Sequence, residues 1–237
     1  MRSSWSWNHH TEVSAGGLIH PTYIEKQDVL KHIVTSEASL EIDYELWLRW
    51  REEAYRTFKS DIEIGYVDPD IIDLIELIFK KKNIFTISSC SGRIVIIDSW
   101  YPWQRDNSYI VFKKHEPIDY NEVLSIVKDH NPRMRFWMIA SGPIFHFVTS
   151  SLHTALNLLK AVRALGFKHS GIMSIRRDGV IVEVISGTWT SFLLKEENCI
   201  LVSVEMLPKI ITIANEILLE GKKKLQKLKS VVERLDI

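Results

Sequence analysis

The chain has 237 residues, 46% hydrophobic and 25% charged, and its 30 basic and 30 acidic side chains cancel to a formal net charge of zero. That length accommodates one substantial domain, or a domain with an appendage, in a soluble globular protein. Zero net charge excludes a global field that draws in nucleic acid, so any RNA contact must rest on local basic patches.

Two cysteines, Cys90 and Cys199, exclude a disulfide scaffold and point to a reducing cytoplasm. The apolar runs are too short to cross a bilayer. The N-terminus lacks the apolar core of a signal peptide. Residues 1–43 carry Trp5, Trp7, His9, His10 and His20 and read as an N-terminal extension ahead of one α+β domain over 44–237. No Cys or carboxylate spacing supports a metal site at those histidines, and none is expected.

Asp43 caps a first helix whose Tyr44, Trp47, Trp50, Ala54 and Phe58 recur at helical spacing as a core face. A second helix opens with Asp68 as N-cap and Pro69 at its first position, and it closes at Lys80–Lys82. Then comes Ile84 to Asp98, two β-branched flanks around the small polar insert Ser88-Ser89-Cys90-Ser91-Gly92 and Arg93. Ile94–Ile97 is apolar on both parities, which places that strand centrally with both faces covered. The insert needs polar partners, and its small side chains let a ligand approach the backbone. Arg93 adds a forked cation suited to a carboxylate or phosphate. A Ser-rich hairpin turn with a surface Arg is the plainer reading of the same residues.

Trp100–Asn107 is a loop, Tyr109–Phe112 a strand ending in Lys113, Lys114 and His115, and Asp119 caps a helix over 120–129. Strands at Arg135–Ile139 and Ile144–Val148 flank a Ser141-Gly142-Pro143 turn, with His146 on the parity of Ile144 and Val148. A helix follows Ser150-Ser151, and Gly166 suits its C-terminal side. Asp178-Gly179 predicts a hairpin, and further strands lie at 192–194 and 200–202. The order helix, Ser-Gly turn, three strands recurs over 69–112 and 152–194, which raises an internal duplication. From Leu207 to Leu235 apolar residues alternate spacings of four and three, the heptad seam of a long helix. Such a seam packs along the domain or joins two copies. The fold class is therefore α+β, with mixed, largely antiparallel sheets, packed helices and a long C-terminal helix. No Gly-x-Gly occurs, so a Rossmann fold is unsupported. The residues alone leave open a polar ligand site, a non-catalytic nucleotide- or tRNA-binding module, and a hydrolase using Cys90 with His115 or His146.

Thr86-Ile-Ser-Ser-Cys-Ser-Gly-Arg93, after a helix opened by Val67-Asp68, resembles the signature of the tRNA wybutosine-synthesizing protein 3 family. So do the strand ending in His115, Pro143-Ile-Phe-His146, Gly166-Phe-Lys-His-Ser-Gly171, and Gly187-Thr188 ahead of the long helix. The resemblance implies a non-Rossmann methyltransferase that uses S-adenosyl-L-methionine to methylate the tricyclic base 3′ of the anticodon of tRNA-Phe. It implies cofactor contacts from Ser88, Ser89, Cys90, Ser91, Gly92, Ser170, Gly171 and Thr188. Arg93 would take a carboxylate, and His115 and His146 would orient or deprotonate the accepting ring. Lys113, Lys114, Arg133, Arg135, Arg176 and Arg177 fall beside strand ends and turns, where they would form one basic rim for the anticodon arm. The partner is then tRNA-Phe, with no membrane, and the protein a monomer or a homodimer through the C-terminal helix. The resemblance has two departures: Ser141-Gly142 stands where the family has Glu-Pro, and Ser186 where it has Arg. A divergent paralogue that binds tRNA without chemistry is the alternative.

Overall fold

The structure is a computed structural model that describes residues 41–104 and 106–235. The expectations for His9, His10, His20 and the paired tryptophans near the N-terminus lie outside the described residues. Five α-helices and nine strands are found among the residues described: α1 (Tyr44–Glu63), α2 (Ile72–Lys80), β1 (Ile84–Cys90), β2 (Arg93–Asp98), β3 (Tyr109–Lys114), α3 (Tyr120–Asp129), β4 (Arg135–Ser141), β5 (Ile144–Thr149), α4 (Leu152–Ala164), β6 (Gly171–Arg176), β7 (Gly179–Ile185), β8 (Trp189–Glu196), β9 (Cys199–Ile200) and α5 (Leu207–Arg234).

The helix starts follow from their caps. The Asp43 carboxylate accepts from the Glu45 and Leu46 amides, and Asp119 and Glu122 form a reciprocal capping box on α3. Pro69 does not begin an α-helix directly. Pro69–Ile71 is a short 3-10 turn that then widens into α2.

The strands divide between two antiparallel sheets, β1-β5-β7-β6 and β3-β2-β4-β8-β9. β1 and β2 flank the Ser-rich insert yet do not pair, so that turn is a crossing between sheets and not a hairpin. The chain crosses again from β4 to β5 at Gly142-Pro143, and from β7 to β8 at Ser186–Thr188. The crossings stack on each other: Gly142 N–H donates to Thr188 O at 2.9 Å and Ser186 N–H to Pro143 O at 3.0 Å. The two segments that share an order of elements are distributed differently: 69–112 places one strand in the first sheet and two in the second, and 152–194 does the reverse.

Trp47, Phe85, Phe145, Phe147, Val182 and Leu158 belong to the core of the first sheet, and Ile94, Ile96, Met138 and Leu194 to that of the second. Helix α5 spans both. Ile211, Ala214 and Leu218 enter the second core, and Leu225, Leu228 and Val232 the first. Its 28 residues reach about 42 Å at 1.5 Å per residue. The heptad seam is thus buried against this chain's own sheets, which removes it as a surface for a second copy.

The two halves of α5 meet at Gly221, which lies over the β4–β5 crossing. A Cβ there would strike Gly142 Cα and come within 2.9 Å of Thr188 Oγ1. Gly→Ala ordinarily stabilises a helix interior by up to about 1 kcal/mol. Here backbone overlap outweighs propensity, so Gly221→Ala is expected to destabilise by about 1–3 kcal/mol. A melting temperature lowered by several degrees in thermal unfolding checks this; an unchanged or raised one contradicts it.

Candidate active site

A cleft of about 580 Å³ opens between α1 and the β1–β5 edge of the first sheet. Trp50, Glu53, Thr57 and Asp61 line it from α1, Tyr66 and Asp68 from the connector, and Ser88, Ser89 and Cys90 from β1. Arg93, Lys113 and His115 supply the wall from the second sheet, and Ile144 and His146 that from β5. β1 can present this polar edge because its register shifts between Thr86 and Ser88, a bulge that realigns the strand beyond its apolar half.

Behind this wall lies a knot centred on Asp68. One oxygen, Oδ1, caps the 3-10 turn by accepting from Asp70 N–H at 3.3 Å. The other, Oδ2, accepts from Ser91 N–H at 3.3 Å and from the Ser91 hydroxyl. His115 Nδ1 lies 3.1 Å from the same oxygen and 2.9 Å from Gly92 O. Lys222, from α5, donates to Ser91 Oγ at 3.3 Å and pairs with Asp70. Gly92 has φ of 104°, a backbone open mainly to glycine, and a Cβ there would sit 2.8 Å from Ser141 O.

Electrostatics follow from that packing. The bond to Asp68, aided by Cys90 and Gly92 O and opposed by burial, pushes His115 up to about 10. Burial pushes the Asp68 carboxyl upward, but the His115 and Ser91 bonds outweigh it and hold it at about 2. Burial likewise opposes ionisation of Cys90, yet His115 at 3.8 Å, the Gly92 amide and Arg93 leave its thiol below the ordinary value. His115 is therefore a fixed imidazolium at neutral pH. It offers its Nε2–H and a positive charge, not a vacant base. Cys90 and Asp68 both engage Nδ1 of His115, so the ring does not bridge them as it would in a nucleophile–base–carboxylate relay.

His146 differs. In register it lies opposite Ser88 on one side and Glu183 on the other, and its Nε2 is 3.4 Å from Glu183 Oε1. Arg93 is exposed at the cleft mouth and forms no ion pair among the described residues.

The structure thus brings together Ser88, Ser89, Cys90, Arg93, Lys113, His115 and His146. Ser91 and Gly92 are buried in the supporting knot. Ser170 is buried too, its hydroxyl accepting from Ile185 N–H at 3.1 Å. Gly171 pairs with Glu183 on the far side of the sheet. Thr188 bonds Ser186 at 2.8 Å and lines a separate groove with Glu216 and Glu220 of α5. The basic residues do not form one rim. Lys114 pairs with Glu122, Arg135 with Glu196 and Arg176 with Asp178, while Arg177 lies 3.7 Å from Asp43. Arg133 and Arg135 sit at the opposite end of the second sheet from Arg93. Sequence reasoning took Asp68 for a cap and part of a family-like helix start and so missed its second role, and it missed the Glu53-Thr57-Asp61 stripe. That stripe was available in the four-residue spacing beside the apolar face of α1.

Comparison with known proteins agrees with this architecture. The family model described as Methyltransferase TYW3 matches residues 49–234, which makes the protein a methyltransferase. More narrowly, the chain belongs to the TYW3 family. It is 38% identical over 188 residues to the Saccharolobus solfataricus tRNA(Phe) 7-((3-amino-3-carboxypropyl)-4-demethylwyosine(37)-N(4))-methyltransferase, covering 79% of this chain and 90% of that protein. A Pyrococcus furiosus enzyme of the same description, numbered 1, is 35% identical over 188 residues, covering 79% and 95%. Among solved structures, the PH1069 protein of Pyrococcus horikoshii superposes with a TM-score of 0.75 at 34% identity, covering 81% of this chain and 98% of that one. No helix among the described residues is long and apolar enough to cross a membrane.

His115 and Asp68 set a pH dependence. His115 titrates at about 10 against an ordinary 6.5, so its contribution to stability is complete below about 6.5 and disappears as pH rises through about 10. Asp68 titrates at about 2 against 3.8, so its contribution is present above about 3.8 and disappears as pH falls through about 2. The melting temperature should fall between pH 6.5 and 10, and Asp68→Asn should flatten that fall. Parallel profiles for wild type and variant would show that the pair is not formed.

Proposed function

We propose that the protein transfers the methyl group of S-adenosyl-L-methionine to N4 of the 7-(3-amino-3-carboxypropyl)-4-demethylwyosine base at position 37 of tRNA-Phe. The reading draws its substrate from the Saccharolobus and Pyrococcus relatives. The observation that carries it is the polarity of the cleft. Cations Arg93, Lys113 and His115 stand along one wall, with the carboxylates of Glu53 and Asp61 on α1 and the rings of Trp50 and Tyr66 beside them.

That arrangement fits the donor. Arg93 and the His115 imidazolium suit its carboxylate, by fork geometry and by charge. Glu53 and Asp61 favour its ammonium and sulfonium charges, and Trp50 and Tyr66 offer planes for its purine. When bound, adenosylmethionine supplies an electrophilic methyl on a positively charged sulfur. The remaining work falls to the chain: Ser88 and Ser89 present hydroxyls to the ligands, and Cys90 closes the wall as a compact side chain. His146, oriented by Glu183 through Nε2, takes the proton released from the accepting ring. Rate comes mainly from alignment, since two held molecules react as one. Lys113 at the mouth meets the RNA backbone.

The test is methyl transfer to tRNA-Phe isolated from cells lacking this protein, read by mass spectrometry of its nucleosides. One base should gain a single methyl when protein and donor are both present. Bound donor and bound RNA with no mass gain would leave a binding module instead. Arg93→Ala should lower kcat/KM by about 10- to 100-fold, the cost of one charge-assisted forked contact, and full activity in that variant would remove Arg93 from the site.

A further inference from the structure

The β2–β3 hairpin has two ends. One carries Arg93 and Lys113 at the cleft. The other, roughly 20 Å away at about 3.3 Å per residue, carries a cluster of aromatic side chains that the cleft does not use. Tyr101 and Trp103 stack there with ring centroids 5.0 Å apart and planes 12° apart. The Arg135 guanidinium lies 5.6 Å over Trp100, and that of Arg133 lies 5.1 Å over Tyr109. Trp103 is 73% exposed and Trp100 49%.

A packed core explains none of these exposures. Large rings are ordinarily spent on burial, and a contiguous exposed set marks a binding surface. Exposed planes with guanidiniums stacked over two of them match the chemistry of unpaired nucleotides, whose bases stack on aromatic side chains and guanidinium planes and whose phosphates meet cations. Arg133 has no carboxylate partner among the described residues, whereas the charge of Arg135 is answered by Glu196 at 2.7 Å. Arg133 is thus the cation available to a phosphate, and Arg135 serves to brace Trp100.

We propose that this platform, Trp100, Tyr101, Trp103, Tyr109 and Arg133, stacks an unpaired nucleotide of the substrate RNA several positions along the strand from the base held in the cleft. The proposal rests on the methyltransferase reading for the identity of that RNA. It adds a second point of attachment, which fixes the direction in which the strand crosses the hairpin.

Binding separates the two ideas, because it is measured without a methyl donor. The probe is an anticodon stem-loop oligonucleotide of tRNA-Phe, with heparin as a polyanion that cannot stack. Trp103→Ala and Arg133→Ala should each raise the Kd for the stem-loop at least about tenfold, within the range found for one stacked base. Trp103→Ala should leave heparin binding near wild type, and Trp103→Phe should restore most of the stem-loop affinity. An abasic site in the flanking loop should weaken wild type but not weaken Trp103→Ala further. Unchanged stem-loop affinity in a folded Trp103→Ala protein would overturn the platform and leave the surface to a protein ligand. Equal losses for stem-loop and heparin would overturn stacking as its mode. Stem-loop binding with these dependences but no methyl transfer would remove the proposed function and leave the platform standing.

Discussion

The site depends on one carboxylate. Asp68 is held ionised in a partly buried position, where an uncompensated charge would cost several kcal/mol. It is tolerated because its Oδ2 alone receives the Ser91 amide, the Ser91 hydroxyl and the His115 ring. Those donors come from the β1–β2 crossing and the end of β3, and Lys222 brings α5 to the same place. Three parts of the chain distant in sequence thereby meet at one oxygen, and α5 is tied to the same cluster through Ser91 Oγ and Asp70. The consequence is a rigid wall whose outer side chains need no further structural bonds. Arg93 and the Nε2–H of His115 are left for a ligand.

The second constraint is steric. Three crossings between the two sheets stack in one place, and α5 lies across them. Lys224 donates to Ser186 O at 2.6 Å, and Gly221 meets Gly142 backbone to backbone. Ser141, Gly142 and Ser186 fall at this junction, and none of them lines the cleft. Their small size is what the junction uses. Gly142 has no room for a side chain between the Thr188 and Ser186 hydroxyls and Gly221.

Local structure was legible wherever one residue type has one physical meaning. Caps at Asp43 and Asp119, the Asp178-Gly179 hairpin and the parity of His146 against Phe145 and Phe147 all follow from backbone geometry. The division into two sheets was not legible, because a two-residue link such as Ser91-Gly92 reads the same whether its strands pair or part. Asp68 was half legible. Its capping oxygen follows from the Pro69 that comes next, but its second oxygen is satisfied from 23 and 47 residues further along. Ser170 misled as a ligand contact because a buried hydroxyl bonded to backbone carries the same letter as one facing a substrate, and Thr188 because its neighbour Ser186 turns it toward a different groove. The scattered cations misled likewise. Lys114, Arg135 and Arg176 are answered by nearby carboxylates that sequence proximity to turns does not reveal.

The imidazole of His115 reports on all of this at once, since its charge exists only if Asp68, Gly92 and Cys90 meet it as described. Nitrogen-15 NMR of selectively labelled protein, with His115 assigned by substitution, follows both ring nitrogens through a pH titration. Both should stay protonated past pH 8, with a midpoint near the value of about 10 that the Asp68 contact produces. A midpoint near the ordinary 6.5, with one nitrogen bare at neutral pH, would contradict the knot and the fixed cation in the cleft that depends on it.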